Sequence, residues 1–359
     1  MKFRKTALIL AVCIGTAVFS GCDNEKQKIF EQAGKNLEQG SYEYALQEYA
    51  ESVNNQVNLP MSYRGMGIAN LRLGNYEAAI ESFTNALGCD RVKKSLEKDL
   101  YTYRATARFL AGLYEDAMAD CQMLAQNHTM DADCYFLTGK VALAMDAYDE
   151  AANNFEQSFG EDSTYDRAIQ IYEVYLEQDM EADGSRYLEA VLASEPKGTQ
   201  DICDRGRIYY YMDDYANARQ ELTEASNQGS TEALLLLGMV YMAQNDYSNA
   251  RAMYQQFVSQ ALDAQESDGA QSAAQGYNGL ALCDIAEGNY DSALENISSG
   301  ISFAEEEEMQ SLLFNEVVAY EKKLDFATAL QKVQAYLEIY PDDEEAKKEM
   351  AFLKTRTGV

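Results

Sequence analysis

The chain has no tryptophan, only three prolines and a single histidine in 359 residues, and its 29 Lys and Arg are outnumbered by 59 Asp and Glu. Each shortage excludes something. One imidazole, His128, set in Gln126-Asn127-His128-Thr129 without a Ser or Cys motif beside it, cannot build a histidine-rich zinc site, and it reads as an exposed loop residue. The seven cysteines contain no Cys-x-x-Cys; Cys89, Cys121, Cys134, Cys203 and Cys283 read as small buried hydrophobes, and Cys121 with Cys134 is the one pair worth testing as a disulfide. No Gly-rich phosphate loop, nucleophile elbow or metalloprotease helix occurs, so the expectation is no enzyme, no catalytic residue, no cofactor and no metal. The acidic runs Glu305 to Glu308 and Asp342 to Glu345 lack the ligand alternation and central glycine of a calcium loop. A formal charge of -30 repels phosphate polymers and anionic headgroups, which argues against nucleic acid and for neutral or basic partners. Without tryptophan, a sugar site lacks its preferred stacking residue.

Only one long apolar run is present, and it stands at the front. Met1-Lys2-Phe3-Arg4-Lys5 is a basic start, Ala7 to Phe19 is apolar but short for a membrane span, and Ser20-Gly21-Cys22 closes the run. The segment looks like a bacterial lipoprotein signal. That resemblance implies a signal peptide over 1–21, lipidation of Cys22, a lipidated stub over 22–25, and a protein held by lipid on the extracytoplasmic side of a bacterial cell membrane. Phe19 stands where such signals usually carry Leu, and Asp23 resembles an inner-membrane retention signal.

The rest of the chain repeats itself. Laid on a turn aromatic, the Ala three residues later and the apolar residue four beyond that, the copies are Tyr42/Ala45/Tyr49, Tyr76/Ala79/Phe83, Tyr114/Ala117/Cys121, Tyr148/Ala151/Phe155, Tyr215/Ala218/Leu222, Tyr247/Ala250/Tyr254, Tyr290/Ala293/Ile297 and Phe326/Ala329/Val333. The gap between Tyr148 and Tyr215 is two periods and hides a ninth copy, placed over Thr164 to Glu195 with Tyr187 and Ala190 as its landmarks. Upstream of each turn sits a small residue, Ala33, Gly67, Ala105, Gly139, Gly206, Gly238 or Ala281, with Val317 breaking the habit. This spacing predicts two antiparallel helices per copy, the small residue of the first admitting the second. Pro60, Pro196 and Pro341 all fall between copies, where a helix breaker does no harm.

The pattern is similar to the tetratricopeptide repeat (TPR) family, most clearly in Leu234-Leu235-Leu236-Leu237-Gly238-Met239-Val240-Tyr241 followed by Asn245-Asp246-Tyr247-Ser248-Asn249-Ala250-Arg251-Ala252-Met253-Tyr254. The resemblance implies an all-α solenoid, a right-handed superhelix of about nine helix-turn-helix repeats over 26–341, with a C-terminal capping helix over 342–359. It also implies a protein-interaction scaffold whose first helices line a concave groove. The positions that would face that groove include Tyr103, Phe109, Phe136, Lys140, Tyr172, Tyr175, Arg207, Tyr210, Met239, Asn278 and Phe314, with Leu235 and Leu282 beside them. The set is mostly aromatic or aliphatic and suits a protein or peptide segment. The paired Lys and Asn with which some relatives clasp acidic tails are missing, since Arg64 is followed by Ile68 and Lys140 stands alone. A solute- or glycan-binding lipoprotein that serves a transporter is the alternative from a different class. The basic cluster Arg91, Lys93, Lys94 and Lys98 reads as an exposed loop and helix start.

Overall fold

The computed structural model describes residues 25–263, 267–304 and 306–358. The signal-like segment and Cys22 lie outside the described residues. Among the described residues there are nineteen helices and no strand. They pair as α1 (25–38) with α2 (Tyr42–Asn54), α3 (Leu59–Arg72) with α4 (Tyr76–Leu87), α5 (Lys94–Leu110) with α6 (Tyr114–Asn127), and α7 (Ala132–Ala144) with α8 (Tyr148–Glu161). Then follow α9 (Tyr165–Leu176) with α10 (Glu181–Leu192), α11 (Thr199–Tyr211) with α12 (Tyr215–Asn227), and α13 (Glu232–Ala243) with α14 (Tyr247–Asp263). The last pairs are α15 (Ser267–Glu287) with α16 (Tyr290–Ile301) and α17 (Glu306–Lys322) with α18 (Phe326–Ile339), after which α19 (Glu344–Thr357) stands alone. The chain divides into two compact units between Arg167 and Ala168. None of the described helices is long and apolar enough to cross a membrane.

One backbone device makes all nine hairpins. Two residues before each second helix the chain turns through the left-handed region, at Gly40, Gly74, Gly112, Asp146, Asp179, Asp213, Asn245, Gly288 and Leu324. In every case the next N–H reaches back five residues to a carbonyl of the first helix, as from Ser41 to Asn36 (2.8 Å), Met180 to Tyr175 (2.9 Å) and Asp325 to Tyr320 (3.0 Å). This closure satisfies the free carbonyls of the helix end and asks for a residue that tolerates positive φ. Gly, Asp and Asn do so at modest cost. At three of the four turns with Asp or Asn, the Tyr two places on donates its hydroxyl to it: Tyr148 to Asp146 (2.8 Å), Tyr215 to Asp213 (2.5 Å) and Tyr247 to Asn245 (2.8 Å); after Asp179 that place is held by Glu181.

Leu324 is the exception, with φ of 66° and a side chain 73% exposed. It bears the steric cost of the left-handed conformation and gains little burial in return. Leu324→Gly is therefore expected to stabilise the protein by about 1 kcal/mol, raising the thermal midpoint by roughly 2–4 °C as read by circular dichroism.

The ninth hairpin of the count is also where the sequence landmarks need correcting. The turn at Asp179 starts α10 at Glu181, so the residues in the positions of Tyr, Ala and the apolar residue are Glu181, Gly184 and Leu188. Leu188 and Gly184 are buried, whereas Ala190 is exposed. Tyr172 occupies the place of the small residue on the first helix. It fits because Gly184 yields space: a Cβ there would lie 3.0 Å from the Tyr172 Cα.

That exchange is one case of a size rule running through the array. Where the first helix offers glycine, the second fills the space with a large side chain. A Cβ on Gly67 would fall 2.4 Å from the Phe83 ring, on Gly139 2.6 Å from Phe155, on Gly206 2.5 Å from Leu222, and on Gly238 2.3 Å from Tyr254. Where the small residue is Ala281, its counterpart is Ile297; where Val317 stands, it is Val333. The trade holds in these hairpins, as a close-packed interior favours, while Ala33 with Tyr49 and Ala105 with Cys121 stand at the same positions in two others and show that the summed volume is not fixed along the array.

Helix α19 ends the second unit by laying Ala346 and Leu353 on a core that holds Val317, Leu330, Val333 and Tyr336. Asp343 caps it, accepting the Ala346 N–H (2.9 Å) and the Tyr336 hydroxyl (2.5 Å). Glu349 on the same helix has a buried Oε1 with no hydrogen-bond partner, and burial, then the neighbouring Glu321 carboxylate, raises its pKa. A carboxyl whose folded pKa is raised binds its proton more readily in the folded state, so this site loses stability as pH rises through that pKa and regains it on acidification. Glu349→Gln is expected to raise stability at pH 7 and to leave it unchanged near pH 4, a difference to be read from denaturant midpoints at both pH values.

Candidate functional site

The groove positions separate by unit, and each unit is described by itself. In the first, α5 and α7 bring Tyr103, Phe109, Phe136 and Lys140 together, all half-buried. Their rings are not bare. The Arg64 guanidinium lies 5.3 Å from the Tyr103 centroid and pairs with Asp99, while Tyr103 stacks on buried Phe83 at 5.5 Å. The Lys140 ammonium lies 5.1 Å from the Phe109 ring and 5.8 Å from Phe136, whose other neighbour is Arg167 at 5.0 Å. Arg167 is itself buried and bound to Asp133. Lys140 makes no ion pair among the described residues. The face is therefore a set of rings covered by cations, most of them from neighbouring hairpins, and more polar than its composition suggests.

The neighbouring basic cluster is partly tied down. Lys98 reaches Asp131 at 2.5 Å, and this contact with the Cys134 N–H lowers the Asp131 pKa to about 2 against the cost of burial. Arg91 and Lys93 are exposed and border a cavity of about 510 Å³ floored by Pro60, Met61, Val92 and Leu96. His128 departs from its expected exposure. Its side chain is 5% exposed, with Nε2 3.5 Å from Glu97 Oε2 and its ring 6.5 Å from Tyr101. The loop folds the imidazole back against α5.

In the second unit Tyr172 and Tyr175 are core residues and do not line a groove. Both are 2% exposed and pack against Gly184 in the α9/α10 hairpin, and burial raises both phenols to about 12. Arg207 is half-buried and paired with Glu232; Tyr210 is half-buried among Tyr211 and Tyr215, at 5.9 and 6.2 Å between ring centres. Phe314 packs on Tyr336 at 5.6 Å as part of the last core. Met239 and Asn278 do come together. With Leu235 and Leu282 they line a cavity of about 350 Å³ among α13, α15 and α17.

Five further lining residues were not identified as groove positions. Tyr254 is the apolar landmark of a second helix, while Gln275, Gly279, Glu308 and Ser311 lie on α15 and α17. The Tyr254 ring reaches the cavity because it lies beside glycine on two first helices. A Cβ on Gly238 or Gly279 would fall 2.3 or 2.6 Å from its Cε1. Tyr254 is 3% exposed, burial raises its pKa, and its hydroxyl has no hydrogen-bond partner among the described residues. Gln275 donates to Glu308 Oε1 (3.1 Å), and Asn278 accepts from Asn315 (2.7 Å). The signal available in the sequence is the second glycine, Gly279, two residues before the small residue Ala281, an arrangement that recurs as Gly65 before Gly67, where a Cβ on Gly65 would fall 2.3 Å from the Tyr49 ring.

The five cysteines Cys89, Cys121, Cys134, Cys203 and Cys283 are free thiols, and all but Cys89 are buried. Cys121 and Cys134 form no disulfide in the structure; burial pushes the Cys121 thiol up to about 11, unreactive as a nucleophile at neutral pH.

Residues 64–129 and 232–261 each match a family model described as tetratricopeptide repeat. No curated protein matches the chain. Among solved structures it is similar to a tetratricopeptide repeat protein from Parabacteroides merdae, with 14% identity over 82% of this chain and 98% of that one and a TM-score of 0.49. It is also similar to yeast Tom70, with 12% identity over 94% and 89% and a TM-score of 0.40. The C-terminal part of a TPR repeat-containing protein from Cytophaga hutchinsonii gives 16% over 70% and 99%, with a TM-score of 0.39. The chain thus carries tetratricopeptide repeats in an all-α array of helical hairpins.

Proposed function

We propose that this protein is a membrane-anchored interaction scaffold that holds protein or peptide segments on the first helices of its repeats. The observation that carries the reading is the cavity of the second unit, where apolar side chains and hydrogen-bonding groups from three successive first helices meet beside the ring of Tyr254. A site of this kind has specific polar recognition within an apolar surround, the usual composition of a binding site. The absence of a familiar catalytic motif in the sequence favours binding over chemistry. The acidic balance favours neutral or basic partners over nucleic acid.

The anchor belongs to the same proposal. Lipid on Cys22 would hold the array at the extracytoplasmic face of a bacterial cell membrane and raise its effective concentration toward partners on that surface. Cys22→Ser is expected to move the protein from the membrane fraction to the soluble fraction without changing its helical circular dichroism. Retention on membranes after a salt wash would reject the lipid tether. The scaffold itself is tested by crosslinking the anchored protein in its native membrane and identifying captured proteins by mass spectrometry. A small reproducible set attached through first-helix residues is the expected result. Capture of nothing, with stabilisation by a sugar panel in its place, would move the reading to solute binding.

A further inference from the structure

We infer that the cavity among α13, α15 and α17 is a pocket for a lysine or arginine side chain of an extended partner segment. The inference rests on the scaffold reading and gives its second unit a specificity. Leu235, Met239 and Leu282 supply apolar wall. At the α17 side stands Glu308, half-buried, held through Oε1 by Gln275 and without an ion pair among the described residues. No Lys or Arg lines the cavity, so nothing within it neutralises that carboxylate.

A basic side chain matches this order of groups. Its three or four methylenes lie well on apolar wall while the charged end seeks an acceptor, and a charge-assisted hydrogen bond is about twice as strong as a neutral one. A norleucine side chain would fill the same wall but leave Glu308 unmatched. An acidic side chain would be repelled both by Glu308 and by the net charge of -30. Tyr254 adds a second requirement. Tyr254 is one of the lining residues and its hydroxyl has no hydrogen-bond partner among the described residues, so a backbone carbonyl of an entering segment would supply one. The volume of about 350 Å³ suits one long side chain with its local backbone rather than a folded domain.

The probe is a set of acetylated, amidated nonapeptides of alanine and serine differing only in a central lysine, arginine, norleucine or glutamate. Each is titrated into the full chain carrying ¹³C-methyl methionine, with the Met239 resonance assigned from Met239→Leu. The lysine and arginine peptides are expected to shift Met239 and to bind about tenfold more tightly than the norleucine peptide, with no shift from the glutamate peptide. Glu308→Gln is expected to weaken the lysine peptide about five- to tenfold and leave the norleucine peptide unchanged. Tyr254→Phe, which keeps the ring, is expected to weaken lysine and norleucine peptides alike. Equal binding of lysine and norleucine, or a Met239 resonance that none of the peptides moves, overturns the pocket. If crosslinking captures envelope proteins while Met239 stays still, the pocket fails and the scaffold stands. If Met239 responds and crosslinking captures nothing, the pocket stands and the scaffold fails.

Discussion

Ala250→Glu is expected to lower the thermal midpoint by more than 10 °C and to abolish amide protection across α13, α14 and α15. Ala250 is fully buried at the joint of the α13/α14 hairpin, in a core with Tyr254, Val258, Leu280 and Cys283. Glutamate adds bulk where close packing leaves no room and a carboxylate where no cation is free. The adjacent Arg251 is already committed to Asp284 (2.9 Å) and Glu287 (2.5 Å). An uncompensated buried charge costs about 3–5 kcal/mol, a large share of the total stability of a domain. Hydrogen exchange read by mass spectrometry, with circular dichroism for the midpoint, makes the test. An unchanged midpoint would show that Ala250 is not at a helix contact, and the hairpin register would fall with it.

The array was legible in the sequence because its period is written in residue size, and size survives where identity does not. The turn glycines, the Ala of each second helix and the prolines between copies each have a local steric cause, so they can be read without tertiary information. In the degenerate copy the register resides in Asp179 and Gly184, a left-handed turn and a close approach, so the aromatic Tyr187 is a false landmark. The candidate site was less legible. A period of helical turns places Tyr172, Tyr175, Met239 and Asn278 on comparable positions, but whether a side chain is covered depends on the volume opposite it. Gly184 pulls Tyr172 and Tyr175 inward, while Gly238 and Gly279 admit Tyr254 toward the cavity. The cations over Tyr103, Phe109 and Phe136 come from neighbouring hairpins some thirty residues away, a separation at which one-helix patterns carry no information.

The size rule makes its sharpest prediction at the same hairpin. Gly238→Val puts a branched side chain where even a Cβ would lie 2.3 Å from the Tyr254 ring, and the ring cannot retreat because Gly279 is equally close on the neighbouring helix. Overpacking of this kind costs about 1–3 kcal/mol, and displacing the ring from its slot adds to it. Tyr254→Val in the parent chain is expected to destabilise as well, by roughly 3 kcal/mol, through the cavity it leaves. Combined, the two recreate the Val317 and Val333 pairing already present in the last hairpin. The double variant is therefore expected to be more stable than Gly238→Val alone, so that a change harmful by itself becomes beneficial beside its partner. Denaturant midpoints for the four members of the cycle measure the coupling directly. Strict additivity would mean that each helix packs independently of what faces it, and the explanation offered for Tyr172, Gly184 and Val317 would then fail together.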